Sequence, residues 1–393
     1  MKKVIIVGGG AAGLMAGITA AREGASVTIL EHNEKPGKKI LATGNGRCNL
    51  TNINQRQDCY RSFEPEKVWQ YLQKYSVADT LKFFSEIGIY TRNKNGWMYP
   101  NSEQAQSVLD CLLMEASFRK VKIKTRQNIS NIYFDEYGWN VSTDSWTYQG
   151  DAVILACGSP ASQVEGASDY GLHFADRYGL KTAAFEPALV GLRLAGNYFS
   201  SWAGVRVQAS VTLVLQGVPL KTETGEVQLT DYGVSGIPVF QISRYAVRAL
   251  KENTETLIFL DFLPGFTEEE LCAHLASRIK NCPYKTMEEQ LTGLLPAKLI
   301  PLVTTHTDSI SKVAKAIKSH VCKVKGASSF AQAQVCSGGI LLQNLDENLQ
   351  STQYPGLYFA GEVLDVDGAC GGYNLQWAWS SGAIAGRAAA NPL

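Results

Sequence analysis

The residues with the clearest chemical meaning are three glycines near the N-terminus, because their spacing suits phosphate binding. Gly8, Gly10 and Gly13 fit the pattern G-x-G-x-x-G directly after the apolar run 4–7. In such a turn the first glycine allows a tight bend, the second lets a pyrophosphate approach the backbone, and the third lets a helix pack against the strand. Alanine-rich residues 14–22 predict that helix, whose N-terminal N–H groups would face the phosphates.

An acidic residue after the second predicted strand adds a site for ribose. Strand 26–30 is followed by Glu31, about 20 positions beyond the glycines, where a carboxylate accepts hydrogen bonds from both ribose hydroxyls. A 2′-phosphate would be repelled there. Strand, glycine turn, helix, strand and acid therefore predict a dinucleotide site, although this pattern alone does not separate FAD from NAD.

Two further segments favour FAD. Residues 35–52 concentrate glycines, cations and small amides, which suit an anionic cofactor. Residues 355–362 predict a late strand with a glycine turn, and Tyr373 is placed to begin a helix that continues through the Ala/Gly-rich segment 382–390. Such a returning helix brings its N-terminus to the flavin end, where its dipole stabilises charge on reduced flavin. A domain that binds only NAD has no use for this return.

We therefore predict a non-covalent FAD site built from both ends of the chain. The buried strand 151–158 ends in small residues that fit a turn close to the cofactor. The predicted cofactor contacts are Gly8, Gly10, Ala11, Ala12, Gly13, Glu31, His32, Lys38, Lys39, Gly44, Asn45, Gly46, Arg47, Cys48, Asn49, Ile129, Ala156, Gly158, Gly361, Glu362, Asp365, Gly372, Tyr373, Asn374, Leu375 and Gln376.

The whole chain resembles a bacterial family of FAD-dependent oxidoreductases that includes aminoacetone oxidase and a bile-acid-inducible flavoprotein. The stretches that carry the resemblance are GNGRCNLTN at 44–52, LTDYGVSG at 229–236, GEVLDVDG at 361–368 and GGYNLQWAWSSG at 371–382. The resemblance implies an FAD domain made from both ends of the chain, a β-rich insert, and a small helical domain inside that insert. It also implies that Asp365 and residues 374–376 lie beside the flavin.

The predicted fold class is α/β, with a Rossmann-type FAD-binding domain, an inserted β-rich domain and a small helical domain. Alternating and β-branched runs with glycine turns predict the β-rich part, as a barrel or a sandwich, and TEEE at 267–270 begins the helical part. The expected bounds are 1–186 and 337–393 for the FAD-binding domain, 187–265 and 321–336 for the β-rich domain, and 266–320 for the helical domain.

Composition narrows the function classes. With 37 Lys and Arg against 36 Asp and Glu, the net charge is +1, which favours a small-molecule partner over nucleic acid. No run approaches the ~20 apolar residues of a membrane span, and the apolar start is too short for a signal peptide. The nine cysteines lack a C-x-x-C pair. We therefore expect a cytoplasmic protein without a metal site. The sequence does not give the oligomeric state.

The substrate side of the site is less defined. Candidate contacts are Trp97, Tyr99, Asp231, Tyr232 and Tyr373, with Tyr60 and Trp377 as further aromatics, since aromatic rings can wall a flavin pocket and a carboxylate could hold an ammonium group. Trp97 and Asp231 depart from the family pattern, which has arginine and histidine at those places. No catalytic base is identified.

Three functions fit these observations. The first is oxidation of a small amine such as aminoacetone with oxygen as acceptor, as the family resemblance suggests. The second is an NAD(P)H-dependent reductase of an unsaturated carbonyl or steroid-like substrate, in which NAD(P)H binds transiently, because a second glycine-rich nucleotide motif is missing from the sequence. The third is a binding protein with structural FAD.

Overall fold

The computed structural model describes residues 1–162, 164–305, 307 and 309–391. The chain forms two compact units: unit 1 contains Met1–Phe185 and Val335–Leu393, and unit 2 contains Glu186–Gln334. Unit 2 is therefore an insertion within the sequence of unit 1. The boundaries expected from the sequence lie after residues 186 and 336.

The elements follow in chain order. Up to the unit boundary they are β1 (Lys3–Val7), α1 (Ala11–Arg22), β2 (Ser26–Leu30), α2 (Lys38–Ala42), β3 (Thr51–Asn52), β4 (Tyr60–Arg61), α3 (Pro65–Lys74), α4 (Val77–Glu86), β5 (Thr91–Lys94), β6 (Trp97–Pro100), α5 (Ala105–Phe118), β7 (Lys122–Lys124), β8 (Ile129–Asp135), β9 (Gly138–Thr143), β10 (Thr147–Gly150), β11 (Ala152–Leu155), α6 (Tyr170–Arg177) and β12 (Thr182–Ala188). Unit 2 continues with β13 (Leu192–Leu194), α7 (Phe199–Trp202), β14 (Arg206–Leu215), β15 (Val218–Thr230), β16 (Gly233–Ser235), α8 (Ile237–Lys251), β17 (Thr256–Asp261), α9 (Glu268–Asn281), α10 (Met287–Leu291), α11 (Ile300–Thr304), α12 (Ile310–Lys318) and β18 (His320–Ala327). The chain ends with β19 (Val335–Ile340), β20 (Leu357–Phe359), β21 (Asp367–Gly368) and α13 (Tyr373–Ala390).

The core of unit 1 is a five-stranded parallel sheet in the order β20-β11-β1-β2-β7. Its central strands bury apolar side chains on both faces, as parallel strands covered by helices do. In register, Ile6 of β1 lies between Ile29 of β2 and Ile154 of β11. The late strand β20 joins β11 through pairs such as Tyr358 with Ile154. The two ends of the chain therefore share one sheet, and the predicted α/β class is confirmed.

The last helix packs directly on the first because both have small residues at the contact. A Cβ placed on Gly382 would lie 2.5 Å from the carbonyl oxygen of Ala12, and one on Gly386 would lie 2.3 Å from that of Ala16. Real Cβ atoms do not come so close. Glycine at these two positions in α13 therefore sets the distance at which the helix rests on α1.

Unit 2 is built around a closed barrel with strand order β13-β16-β15-β14-β17-β18. The alternation of the sequence left a barrel and a sandwich open, and the structure shows the barrel. Helices α9–α12 occupy Glu268–Lys318, and two of them begin with capping boxes, at Thr267 with Glu270 and at Thr286 with Glu289. In the part of the chain that the structure describes, no helix is both long and apolar enough to cross a membrane.

Substitution of Gly386 by alanine tests the contact between the two helices. We expect the added methyl group to destabilise the protein by about 1–3 kcal/mol, because α13 must move away from α1. Thermal and denaturant unfolding measure this change. Arg387→Ala is the control, since Arg387 is exposed on the same helix, and its effect should stay within about 0.5 kcal/mol. Equal stability of Gly386→Ala and wild type would contradict the close contact.

Candidate cofactor and substrate site

The turn between β1 and α1 has the geometry that phosphate binding requires. Gly8 adopts a φ of +105°, and a Cβ there would lie 2.4 Å from the carbonyl oxygen of Ala156. A Cβ on Gly13 would lie 1.9 Å from the carbonyl oxygen of Gly8. Gly10, by contrast, has open space around its Cβ position. The backbone is therefore packed tightly behind the turn and accessible in front of it.

The N-terminus of α1 is open to a ligand. Gly10 is the N-cap residue and offers no side-chain cap, while its carbonyl accepts the N–H of Leu14 at 2.9 Å. The N–H groups of the first turn, which includes Ala11 and Ala12, have no partner within the helix. A pyrophosphate fits these donors and the positive end of the helix dipole. Gly361 approaches the same turn, since a Cβ there would lie 2.7 Å from the Cβ of Ala12.

Glu31 is held at the end of β2 by backbone and side-chain donors. Its carboxylate is buried and accepts the N–H of Gly9 at 2.7 Å and that of Asn33 at 2.8 Å, with the Asn33 side-chain amide at 2.9 Å. Two carboxylate oxygens offer about four acceptor positions, so one remains for a ribose hydroxyl. The sequence analysis missed Asn33, which lies two positions beyond the acid.

A cavity lies beside Glu31. It has a volume of about 450 Å³ and is lined by His32, Asn33, Glu34, Lys35, Lys38, Arg126 and Glu165. The N–H of Gln127 donates to the carbonyl of Glu31 at 2.9 Å, which brings the start of β8 at Ile129 to this end of the sheet. The position suits the adenosine half of a dinucleotide.

The two predicted anion-binding lysines already have carboxylate partners. Lys38 Nζ lies 2.6 Å from Glu165 Oε2, and Lys39 Nζ lies 3.0 Å from Glu362 Oε2. Glu362 also accepts the backbone N–H of Cys336 at 2.9 Å. Contact of these two lysines with the cofactor stays a prediction, and their carboxylate partners lie far away in the sequence.

The loop after α2 contains consecutive left-handed residues. Gly44, Asn45 and Gly46 have φ values of 56°, 54° and 79°, and Cys48 follows with 58°. Such conformations are uncommon outside glycine and collect at functional sites. Arg47 is exposed at this loop. After β11, Gly158 likewise has a positive φ, of 73°, with open space at its Cβ position.

Cys48 is buried, and burial raises the pKa of its thiol to about 12. A protonated thiol is a poor nucleophile. Its burial favours a packing role over redox or nucleophilic chemistry. Within the described residues all nine cysteines are free. No group of metal-ligating side chains is found in the same residues.

The N-terminus of α13 is a second open helix end. Gly372 is the N-cap residue in a left-handed conformation without a side-chain cap, and it accepts the N–H of Gln376 at 3.0 Å. The N–H groups of Tyr373, Asn374 and Leu375 therefore have no partner in the helix. The Asn49 amide, oriented by its hydrogen-bond network, accepts the N–H of Gly372 at 3.3 Å. A flavin carbonyl oxygen suits the remaining donors.

The side chains of Asn374 and Gln376 make hydrogen bonds within the protein. Asn374 accepts the N–H of Gly368 at 2.7 Å and donates to the carbonyl of Gly368 at 3.0 Å. Gln376 is fully buried; it accepts the hydroxyl of Thr51 at 2.6 Å and donates to the hydroxyls of Thr80 and Ser380 at 2.9 Å each. Both side chains are therefore engaged within the protein. The backbone N–H of Asn374 has no partner in the helix, whereas that of Gln376 is bonded to the carbonyl of Gly372.

Asp365 is fully buried close to α13. Its Oδ2 accepts the hydroxyl of Ser62 at 3.1 Å and the N–H of Phe63 at 2.7 Å. Among the described residues, its Oδ1 has no hydrogen-bond partner. A buried carboxylate oxygen without a donor is costly.

The candidate substrate residues divide between the two units. Trp97, Tyr99 and Tyr373 belong to unit 1, and Tyr373 donates its hydroxyl to the carbonyl of Asn54 at 3.0 Å. Asp231 and Tyr232 belong to unit 2, in the turn between β15 and β16, where Asp231 is exposed. The guanidinium of Arg193 lies 5.9 Å from the centre of the Tyr232 ring.

Two further aromatic candidates are structural. Trp377 is 1% exposed and donates its N–H to the carbonyl of Gly361 at 3.1 Å. Tyr60 is 3% exposed, donates to Gln55 at 2.7 Å and packs edge-on against Tyr373, with 5.7 Å between ring centres. Neither ring presents a surface to a substrate.

The fold and the site together define an FAD-dependent oxidoreductase with a Rossmann cofactor domain made of two chain segments. Residues 2–388 match the family described as HI0933-like protein Rossmann domain, and the chain belongs to this family. The resemblance identified in the sequence is thereby confirmed.

Two relatives match over nearly the full length. The chain is 41% identical to the 3-dehydro-bile acid delta(4,6)-reductase of Clostridium scindens, with 99% of each chain covered. It is 29% identical to the ribosomal RNA dihydrouridine synthase of Escherichia coli K12, with 96% of this chain and 95% of the relative covered. Because this relative is named for ribosomal RNA, the exclusion of nucleic acid as a partner, which was based on the net charge, is not supported.

A solved structure shows the same fold at low identity. The 3-ketosteroid-delta4-(5alpha)-dehydrogenase of Rhodococcus jostii RHA1 superposes with a TM-score of 0.50 at 16% identity, covering 99% of this chain and 97% of the other. At this identity the likeness concerns the fold alone.

Alanine substitutions at Gly10 and Gly13 separate the binding of the cofactor from folding. Gly10→Ala should leave the apoprotein stable, because its φ of −81° suits alanine and its Cβ position is open. Its FAD dissociation constant should rise at least tenfold, which corresponds to about 1.4 kcal/mol, because the methyl group occupies the approach to α1. Gly13→Ala should instead destabilise the apoprotein, because its methyl group would clash with the carbonyl of Gly8. FAD titration and thermal unfolding of the apoproteins measure both; unchanged FAD affinity of Gly10→Ala would contradict the assignment.

Thiol labelling tests the burial of the cysteines. Cys48 and Cys336 are buried, and burial raises the pKa of both thiols to about 12, so they stay protonated near pH 8 and should resist alkylation in the native protein. Mass spectrometry after iodoacetamide treatment identifies the labelled residues. Half-buried Cys272 and Cys282 provide the internal control. Native labelling of Cys48 as fast as of Cys282 would show that the loop is open.

Proposed function

We propose that this chain is an FAD-dependent reductase that saturates a carbon–carbon double bond conjugated to a carbonyl group in a steroid-like substrate. The observation that carries the proposal is the 41% identity, over 99% of both chains, with a reductase named for a 3-dehydro bile acid and its delta(4,6) double bonds. Two helix N-termini and the Glu31 carboxylate of unit 1 suit FAD, which supports the same proposal.

The proposed cofactor placement follows from the two open helix ends. The first turn of α1 beside Gly10 would hold the pyrophosphate, and Glu31 would bind the ribose. The N-terminus of α13 would hold the flavin end, where the N–H groups of Tyr373 to Leu375 and the helix dipole would stabilise negative charge. When bound and reduced, FAD supplies a hydride to an electron-poor double bond.

The second relative supports the type of bond that is reduced more than it supports the type of substrate. Dihydrouridine differs from uridine by two hydrogens across a ring double bond conjugated to a carbonyl. Both relatives' names therefore describe the reduction of conjugated double bonds. Reduction of a uracil ring in RNA is the second candidate, favoured by 29% identity over 96% of this chain. The steroid-like substrate is preferred because its relative is closer and the net charge of +1 provides little attraction for RNA.

Oxidation of a small amine such as aminoacetone remains a prediction from the sequence. Neither full-length relative described above is named for it. Asp231, the carboxylate suggested for an ammonium group, is exposed in unit 2. The electron donor is proposed to be NADH or NADPH, which binds transiently, in agreement with the single glycine-rich nucleotide turn of the sequence.

A substrate panel under anaerobic conditions tests the proposed function. The FAD-loaded protein is given NADH or NADPH together with an unsaturated 3-dehydro bile acid, a uridine-containing RNA, or no second substrate. We expect nicotinamide oxidation that depends on the bile acid, with the saturated product detected by mass spectrometry. Turnover with RNA alone would replace the proposal with the second candidate. A separate sample receives aminoacetone without nicotinamide. Flavin reduction in that sample, with no turnover of either acceptor in the others, would return the function to amine oxidation.

A further inference from the structure

One face of strand β6 carries two aromatic side chains beside the cofactor site. β6 is the middle strand of a three-stranded antiparallel sheet, between β3 and β5. Trp97 and Tyr99 are two positions apart, so their side chains lie on the same face, while Met98 lies on the other. Trp97 is opposite Asn52 on one neighbour, and Tyr99 is opposite Arg92 on the other.

This face lies against the glycine turns of the cofactor site. Asn52 donates its amide to the carbonyl of Gly371 at 3.0 Å. A Cβ on Gly371 would lie 3.2 Å from the indole of Trp97, and one on Gly44 would lie 3.6 Å from the ring of Tyr99. Gly371 immediately precedes the N-cap of α13. Each aromatic ring therefore packs beside a turn that has no side chain of its own.

Among the described residues, the polar group of each ring has no hydrogen-bond partner. Trp139, Trp202, Trp377 and Trp379 each donate the indole N–H to a backbone carbonyl at 2.9–3.1 Å. Half-buried Trp97 has no such acceptor among the described residues. The hydroxyls of Tyr60 and Tyr373 likewise donate to protein oxygens. That of Tyr99 has no partner in the same part of the chain.

Tyr99 is suited to remain a donor. It is 9% exposed, and burial raises the pKa of its phenol, although Arg47 acts in the opposite direction. The nearby cations are compensated in part: Lys94 contacts Glu103, and Arg92 lies 3.8 Å from the same carboxylate. Lys94 Nζ is 5.6 Å from the centre of the Tyr99 ring. The Tyr99 hydroxyl therefore stays protonated at neutral pH, and most of the charged side chains around it are in ion pairs.

We propose that Trp97 and Tyr99 form the wall that recognises the substrate: Trp97 packs against its flat apolar ring system, and the Tyr99 hydroxyl donates a hydrogen bond to its conjugated carbonyl oxygen. This proposal rests on the proposed function. Hydride added at the β-carbon leaves an enolate with negative charge on that oxygen, and water supplies the proton that completes the saturated product at the α-carbon. A donor to the oxygen therefore stabilises the transition state of hydride addition. One such donor contributes about 10²–10³ in kcat. Aromatic rings with a free polar group suit this combination of contacts.

Binding of two steroids to the FAD-loaded, oxidised protein tests the wall without turnover. The probes are a 3-oxo steroid with a conjugated double bond and the same steroid without the oxo group, measured by calorimetry. Wild type should prefer the ketone. Tyr99→Phe should lose that preference about tenfold without weakening the deoxy probe, and its kcat with the ketone should fall about 10²-fold. Trp97→Ala should weaken both probes, and Trp97→Phe should weaken them much less.

The controls are Tyr90→Phe and Trp146→Phe, which change rings that are 78% and 67% exposed, and both should behave like wild type. Bound FAD and thermal unfolding show whether each variant is folded. An unchanged ketone preference in Tyr99→Phe overturns the role of its hydroxyl, and unchanged binding in Trp97→Ala overturns that of the indole. If the wild-type protein binds neither steroid, the proposal that Trp97 and Tyr99 form a substrate wall is overturned. Wild type that binds the ketone selectively without reducing it contradicts the proposed function alone.

Discussion

The cofactor site depends on close approach of backbone to backbone, which glycine alone permits. Gly13 lies against the carbonyl of Gly8, and Gly8 against that of Ala156, so the turn, the helix and the neighbouring strand fit together without side chains between them. Gly382 and Gly386 extend this contact to the last helix. As a result, segments more than three hundred residues apart in sequence present two helix N-termini within one unit.

This arrangement explains how an anionic cofactor can be held although the nearby lysines are paired. Lys38 and Lys39 form ion pairs with Glu165 and Glu362, and these pairs connect the start of α2 to the segments after β11 and β20. Partly exposed pairs of this kind contribute little to stability, commonly 0–1 kcal/mol. In the proposed placement of FAD, the fixed N–H groups and dipoles of α1 and α13 are already oriented and would need no reorganisation on binding.

The local features of the fold were predictable from the sequence, and the long-range features were not. The order of β1, glycine turn, α1, β2 and Glu31 is encoded by neighbouring residues, and the glycine pair before Tyr373 marks the start of α13. The side chains of Gln376 and Trp377 point into the protein because they bond to Thr51, Thr80 and Gly361. These partners are distant in sequence or on other elements, so the spacing of residues does not reveal them. Strand alternation predicted a β-rich insert, but closure into a barrel depends on pairing between distant strands such as β13 and β18.

The central claim is that electrons pass from FAD held in unit 1 to a conjugated double bond. A single turnover without nicotinamide tests it most directly. The bound flavin is reduced with dithionite under anaerobic conditions, excess reductant is removed, and an unsaturated 3-dehydro bile acid is added. Reoxidation of the flavin with one equivalent of reduced product per FAD is the predicted result. Flavin that stays reduced until oxygen is admitted, with the bile acid recovered unchanged, would contradict the account.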